Sequence, residues 1–353
     1  MNPTLPRATS QPVSSATNLA LVARGPGDVG LEHRDTEDAH GFGVLVTPHH
    51  VGLCGTDLEI IDGTLDPAYV RYPLVLGHEW SGLVSSIGES VTRVRPGDRV
   101  VVEGIIPCSV CAECRRGNTN LCLTYEELGF TRDGAAGPGV TTPEHLVHRL
   151  DDSVPLDAAA LAEPAAVVLR GLNEIDLHPG ARILVVGDGT IGLLVAHLAR
   201  LWSPGSVVVA GQRTVQAELA RTMGADEFMV DTPDERSFDV VIEAAGSIRA
   251  VETALAAVSR GGQVLLLGIS GHGKTVAMSP DDIVNNDLRI RGSFGSTAAS
   301  WAEIATLLNT GRFNPAPLIT HRFSLSRFDD ALEILRRATS EPRGKVLLDI
   351  QGA

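Results

Sequence analysis

The apolar run Ile183–Val186 feeds directly into Gly187-Asp188-Gly189-Thr190-Ile191-Gly192, and a helical stretch follows. A G-x-G-x-x-G turn of this kind needs a strand before it and a helix after it. Its glycines sit where backbone must turn sharply, approach a ligand or pack helix on strand. The free N–H groups at the helix start then favour an anionic pyrophosphate. Gly187, Gly189 and Gly192, with Thr190 and Ile191 between them, are the expected dinucleotide contacts. Five further apolar runs surround this one: Val207–Ala210, Glu227–Val230, Val240–Ile242, Val264–Leu267 and Leu288–Ile290. They alternate with amphipathic helical stretches, the pattern of a doubly wound parallel sheet. Residues 166–296 are therefore expected to form an α/β domain of the Rossmann type. A glycine turn that only packs is the plainer alternative, and the βα alternation around it argues against that.

The second strand of such a unit usually ends in Asp or Glu, which holds the adenosine ribose hydroxyls. Here it ends in Ala210-Gly211-Gln212-Arg213-Thr214. Gly211 stands in the place of the acid, and the guanidinium of Arg213 suits a phosphate. The expectation is NADP(H) in preference to NAD(H), held at Gly211, Gln212 and Arg213, with no carboxylate to repel the 2′-phosphate. An ordinary exposed arginine is the alternative for Arg213.

The first part of the chain reads differently. Leu19–Ala23, Gly43–Val46 and Arg99–Glu103 are strand-like, and turns such as Arg95-Pro96-Gly97-Asp98 separate them. Residues 18–165 are expected to be an antiparallel, β-rich domain. All five cysteines lie in it. Cys108, Cys111, Cys114 and Cys122 are spaced C-x2-C-x2-C-x7-C, within a lobe at about residues 104–125. Four thiolates close the shell of a structural Zn²⁺, whereas disulfides suit a reducing compartment poorly and an iron–sulfur cluster would need a redox relay. Cys54 stands alone, with Gly77-His78-Glu79 further on. One Cys, one His and one carboxylate leave a position free on Zn²⁺, the pattern of a catalytic site. Glu79 and Glu163 compete for the carboxylate position. Asp57 is a candidate acceptor for the His78 ring N–H, or simply a turn cap.

The 353 residues carry a formal net charge of −14 and only two lysines, Lys274 and Lys345, which speaks against a nucleic-acid partner. No apolar run is long enough to span a membrane, and residues 1–17 read as a mobile tail without a secretory pattern. The expected location is the cytoplasm.

Taken together, these residues resemble the medium-chain zinc-dependent alcohol and polyol dehydrogenase family, over about Leu19 to Ile350. The matching stretches are Cys54-Gly55-Thr56-Asp57, Gly77-His78-Glu79, the four-cysteine lobe, Ala162-Glu163-Pro164, Gly187 to Gly192, Glu243-Ala244-Ala245-Gly246, Pro317-Leu318-Ile319-Thr320-His321 and Gly344-Lys345-Val346. The resemblance implies a GroES-like catalytic domain split around the Rossmann domain, with residues 297–353 returning to the first domain. It implies homodimers or homotetramers, one catalytic and one structural zinc per subunit, and hydride transfer between NAD(P) and a small alcohol or ketone. Ala245, Gly268 and Lys345 are then expected at the cofactor. Thr56 is expected to take the alcohol proton and Glu59 to pass it outward. A polyhydroxylated substrate is favoured: sugar, polyol, cyclitol or aminocyclitol. Glu59, Glu127 and Arg132 are candidates for its extra hydroxyls or an amine. Many polyol and threonine dehydrogenases carry His where this chain has Glu59. The run from Cys54 to Ile60 looks more like glucose dehydrogenases, and Gly129 to Gly134 resembles aminocyclitol dehydrogenases. Ala136-Gly137-Pro138-Gly139 departs from the family's usual Phe-Ala-Glu-Tyr. The competing readings are a zinc-free enone or quinone reductase of the same fold, a simple secondary-alcohol dehydrogenase, and a non-catalytic binding protein.

Overall fold

The computed structural model describes residues 18–230, 236–271, 273–337 and 340–351. The expected tail at 1–17 lies outside them. Two sheets organise the described residues. One is mixed and mostly antiparallel, and its strands run in the order Val147–Leu150, Arg99–Val102, Glu79–Ile87, Gly43–Leu53, Lys345–Asp349 and Ile319–Ser324. Its core gathers Val46, Val51, Trp80, Val100 and Leu348. The alternation of buried and half-buried residues along Gly43–Leu53 follows from burying one face.

The other sheet is parallel, in the order Glu227–Met229, Ser206–Ala210, Arg182–Val186, Phe238–Glu243, Val258–Leu266 and Arg289–Gly292. All six expected apolar runs fall on these strands, with Val230, Leu267 and Leu288 each one residue outside, and strand order reverses beside Arg182–Val186. That reversal opens the crevice in which doubly wound sheets bind ligands. Val185, Val207, Val209 and Ile242 are fully buried, as strands covered on both faces require.

After the last parallel strand the chain runs back to the first sheet. The helix Ala298–Asn309 buries Trp301, Ile304, Leu307 and Leu308 in the same core as Ala165, Val168, Leu169 and Leu172 of the helix Ala162–Asn173. Asn309 donates to the Arg149 carbonyl of the mixed sheet at 3.4 Å, and Ile319–Ser324 then joins that sheet in parallel with Lys345–Asp349. The same helix also lies against the mixed sheet, where the Trp301 ring stacks on His148 at 6.1 Å and Leu150 shares its core.

Register then brings the chemistry to one end of the mixed sheet. Gly52 faces Glu79, and Leu53 faces Val346. Cys54, Glu79 and Lys345 follow or open these three neighbouring strands, so they meet at a single sheet end.

Candidate active site

Cys54 caps the helix Gly55–Asp62. Its sulfur accepts from the Thr56 N–H at 3.3 Å, while the Asp57 carboxylate accepts from the Cys54 N–H at 2.8 Å. This reciprocal cap holds the thiol at the helix N-terminus, where a negative charge is favoured. His78 turns its Nε2 to within 3.2 Å of Cys54 Sγ and its Nδ1 to 3.6 Å from Asp57 Oδ1. Asp57 thus caps the helix and also faces the imidazole. The Phe130 ring lies 4.9 Å from the His78 ring.

Donor atoms of Cys54, His78 and Glu79 lie within 4.8 Å of one another. Burial opposes protonation of His78, but Cys54 and Asp57 outweigh it and hold the ring well above its ordinary 6.5. Burial pushes Asp57 up. Burial also drives Glu163 up to about 8, against the pull of His78 and with Glu79 and Glu127 adding to it. A half-buried thiol, a buried imidazole and several buried carboxylates crowded together are what a divalent cation relieves. Soft sulfur, nitrogen and oxygen donors in one trio fit Zn²⁺.

Glu79, not Glu163, joins this trio. Glu163 sits in the first turn of the helix Ala162–Asn173, close enough to feel both His78 and Glu79. Glu79 is also ion-paired with Lys345, whose ammonium lies 3.4 Å from the Leu53 carbonyl. Thr56 and Glu59 are both half-buried on the helix that Cys54 caps, one turn apart on the same face. Burial raises the Glu127 carboxyl to about 7, with His78 pulling the other way. Arg132 is drawn off instead to Glu126 at 3.1 Å, nearly half exposed.

In the lobe, the sulfurs of Cys108, Cys111, Cys114 and Cys122 also lie within 4.8 Å of one another. Backbone N–H groups of Cys111, Cys108 and Cys114 point at the sulfurs of Cys108, Cys122 and Cys111, at 3.4, 3.4 and 3.5 Å. N–H bonds of Val110 and Cys111 pull the Cys108 thiol down to about 6. The cluster fits a thiolate-bound Zn²⁺.

At the nucleotide end, Gly187 has φ +132, and a Cβ on Gly192 would stand 2.0 Å from the Gly187 carbonyl oxygen. Gly189 caps the helix Thr190–Leu198 with no side chain on its free N–H groups. Thr190 Oγ1 reaches the Gly344 carbonyl at 3.3 Å. Glu243 is fully buried and accepts from the Ala245 and Gly246 N–H groups at 2.8 and 2.7 Å, which sets the loop beside Gly187. A Cβ on Gly268 would stand 2.3 Å from the Gly246 nitrogen, so this loop and Gly268 close on each other.

Comparison with known proteins follows the same lines. Residues 41–152 match the alcohol dehydrogenase GroES-like domain, and residues 190–310 match the zinc-binding dehydrogenase domain. The chain is 32% identical to an L-threonine 3-dehydrogenase of Anaeromyxobacter sp. (strain K), over 87% of this chain and 90% of that one. It is 31% identical to a sorbitol dehydrogenase of Gallus gallus, over 92% and 95%. Among solved structures, galactitol-1-phosphate dehydrogenase from Escherichia coli superposes with a TM-score of 0.84 at 27% identity, over 94% and 99% of the two chains. A protein of Sinorhizobium meliloti 1021 bound to NADP gives 0.87 at 28% identity, over 94% and 98%.

The chain belongs to the medium-chain zinc-dependent alcohol and polyol dehydrogenase family. As a member of it, the protein is an alcohol dehydrogenase built from a GroES-like domain and a Rossmann domain. No helix among its described residues is long and apolar enough to cross a membrane.

Two expectations for this dehydrogenase meet a charged partner that the sequence did not show. Lys345, expected at the cofactor, is 2% exposed and ion-paired with Glu79. The ribose end was expected to lack a carboxylate near Gly211, Gln212 and Arg213. Asp188, the second residue of the glycine motif, supplies one: its Oδ1 lies 3.1 Å from Arg213 Nη2, and its Oδ2 accepts from the Arg213 N–H at 3.1 Å. Gln212 is exposed. Sequence reasoning also passed over Gln216, which is fully buried. It donates to the Asp188 and Arg343 carbonyls at 2.7 and 2.9 Å, tying the glycine turn to the returning chain. The one signal for Asp188 was an acid inside a phosphate-binding turn.

Proposed function

We propose that this dehydrogenase transfers hydride between NADP(H) and a secondary alcohol or ketone of a polyhydroxylated substrate: a sugar, polyol, cyclitol or aminocyclitol. The observation that carries it is the Cys54–His78–Glu79 trio beside half-buried hydroxyl- and carboxyl-bearing residues. When bound, zinc acidifies the substrate hydroxyl and NADP⁺ takes up the hydride. The protein's own part is positioning and proton handling. Cys54, His78 and one of Glu79 and Glu163 hold the metal, and Asp57 orients the His78 ring. Thr56 takes the proton from the substrate hydroxyl and Glu59, one turn on, passes it outward. Glu127, kept partly protonated near neutrality by burial, faces a second polar group of the substrate. Relatives named for sorbitol, galactitol 1-phosphate and threonine support a substrate with more than one polar group.

For the cofactor, Gly211 removes the usual strand-end acid, and two arginines lie at the ribose end, Arg213 and Arg343. The open edges of the parallel sheet, Arg289–Gly292 and Glu227–Met229, support a homodimer or homotetramer. Replacing Cys54 by Ala tests the mechanism. Turnover of a polyol and aminocyclitol panel with NADP⁺ is expected to fall below about a thousandth of wild type, given how much metal activation contributes. NADPH affinity is expected to stay within about twofold, since Cys54 touches no part of the glycine turn. Near-normal turnover in Cys54→Ala overturns the reading.

A further inference from the structure

The cofactor reading leaves one group unexplained, the carboxylate inside the glycine turn. Asp188 packs on Gly211 so closely that a Cβ there would lie 2.5 Å from Asp188 Cβ and 2.7 Å from its Oδ2. The carboxylate therefore occupies the neighbourhood from which a strand-end acid would reach the ribose. It is only 13% exposed and grips Arg213 through both the guanidinium and the backbone N–H. The Asp188 carbonyl takes a further bond from Arg213 Nη2 at 3.2 Å. Meanwhile Arg213 Nη1 is buried with no hydrogen-bond partner, one donor left over for a ligand. Gln216 fixes the Asp188 backbone from below, so the pair is held in a rigid frame.

We propose that Asp188 sets the balance between the two nicotinamide cofactors. Its carboxylate stands in for the absent strand-end acid as acceptor for the adenosine ribose hydroxyls. It is also the internal counter-ion of Arg213. A 2′-phosphate that takes Arg213 Nη1 shares the guanidinium with Asp188 and lies beside a negative charge, whereas a 2′-hydroxyl meets an acceptor already in place. The preference for NADP(H) conferred by Gly211 and Arg213 is thereby held narrow, and removing the carboxylate widens it.

This inference rests on the reading of Arg213 as the partner of the 2′-phosphate, and the test separates the two. The dissociation constants of NADPH, NADH, 2′,5′-ADP and 5′-ADP are measured by titration calorimetry on the full-length protein, without reference to turnover. Asp188→Asn, which keeps the volume and the donor-facing oxygen, is expected to tighten NADPH and 2′,5′-ADP by about tenfold. The same change is expected to weaken NADH by about threefold, through loss of a charged acceptor. Asp188→Ser carries the same expectation should the Asn variant fold poorly. In Arg213→Ala Asp188→Asn the gain for NADPH disappears. If Arg213→Ala weakens NADPH and NADH equally, the 2′-phosphate reading fails. If Arg213→Ala is selective for NADPH but Asp188→Asn leaves the NADPH:NADH ratio unchanged, or weakens NADPH, then the role of Asp188 is overturned while that reading stands.

Discussion

Gly52 shows how a missing side chain shapes the metal site. It lies opposite Glu79 in the sheet, and a Cβ there would stand 2.5 Å from Glu79 Oε2 and 3.2 Å from Lys345 Cδ. Only a bare backbone lets the Glu79–Lys345 pair lie flat over the strand end. Gly52→Ala is expected to cost about 1–3 kcal/mol through overpacking against a rigid ion pair. It should also displace Glu79 from Cys54 and His78. Chemical denaturation read together with turnover checks this, and unchanged values in both would remove Gly52 and Glu79 from the site's design. Such residues also mark how far the sequence could be read. The grouping of Cys54 with His78 and of the four lobe cysteines was legible because metal chemistry restricts both residue type and spacing, whereas the choice between Glu79 and Glu163 stayed open. The pairing of Lys345 with Glu79 was not legible, because a lysine in a sequence does not reveal which way it points. Asp188, Gln216 and Gly52 draw their meaning from neighbours 25 or more positions away, which only the folded register supplies.

The six parallel strands were legible because strands buried on both faces are continuously apolar. The partners of the helix Ala298–Asn309, which packs on both Ala162–Asn173 and the strand Val147–Leu150, were not legible, since an amphipathic stripe says that a helix is buried but not against what. The four-cysteine lobe is the element most dependent on its ligand. Its base is closed by the short ladder Ile105–Ile106 with Glu126–Glu127, and Asn120 Nδ2 donates to the Phe294 carbonyl at 2.6 Å across to the nucleotide-binding side. Its outer surface exposes Val110, Leu121 and Leu123, so little apolar burial holds it. Cys114→Ser is therefore expected to lower stability by about 3 kcal/mol or more, the range seen when a structural metal is lost. Hydrogen exchange should rise throughout residues 108–122 while the Cys54–His78–Glu79 trio stays intact. Unchanged exchange in the lobe of Cys114→Ser would show that it folds without its ion.

Across the molecule, two sheets of different character divide the work. The mixed sheet brings Cys54, Glu79 and Lys345 from three strand ends to one point. The parallel sheet offers its crevice where strand order reverses, and Gln216 with Thr190 fastens that crevice to the returning segment at Arg343 and Gly344. The arrangement works as a dehydrogenase only if a metal ion is held at the trio independently of the one in the lobe. Elemental analysis of the full-length protein and its two single variants decides this. Two zinc ions per chain are expected for the wild type, one for Cys54→Ala and one for Cys114→Ser. A single ion in the wild type that persists in Cys54→Ala and vanishes in Cys114→Ser would contradict a catalytic metal at Cys54, His78 and Glu79.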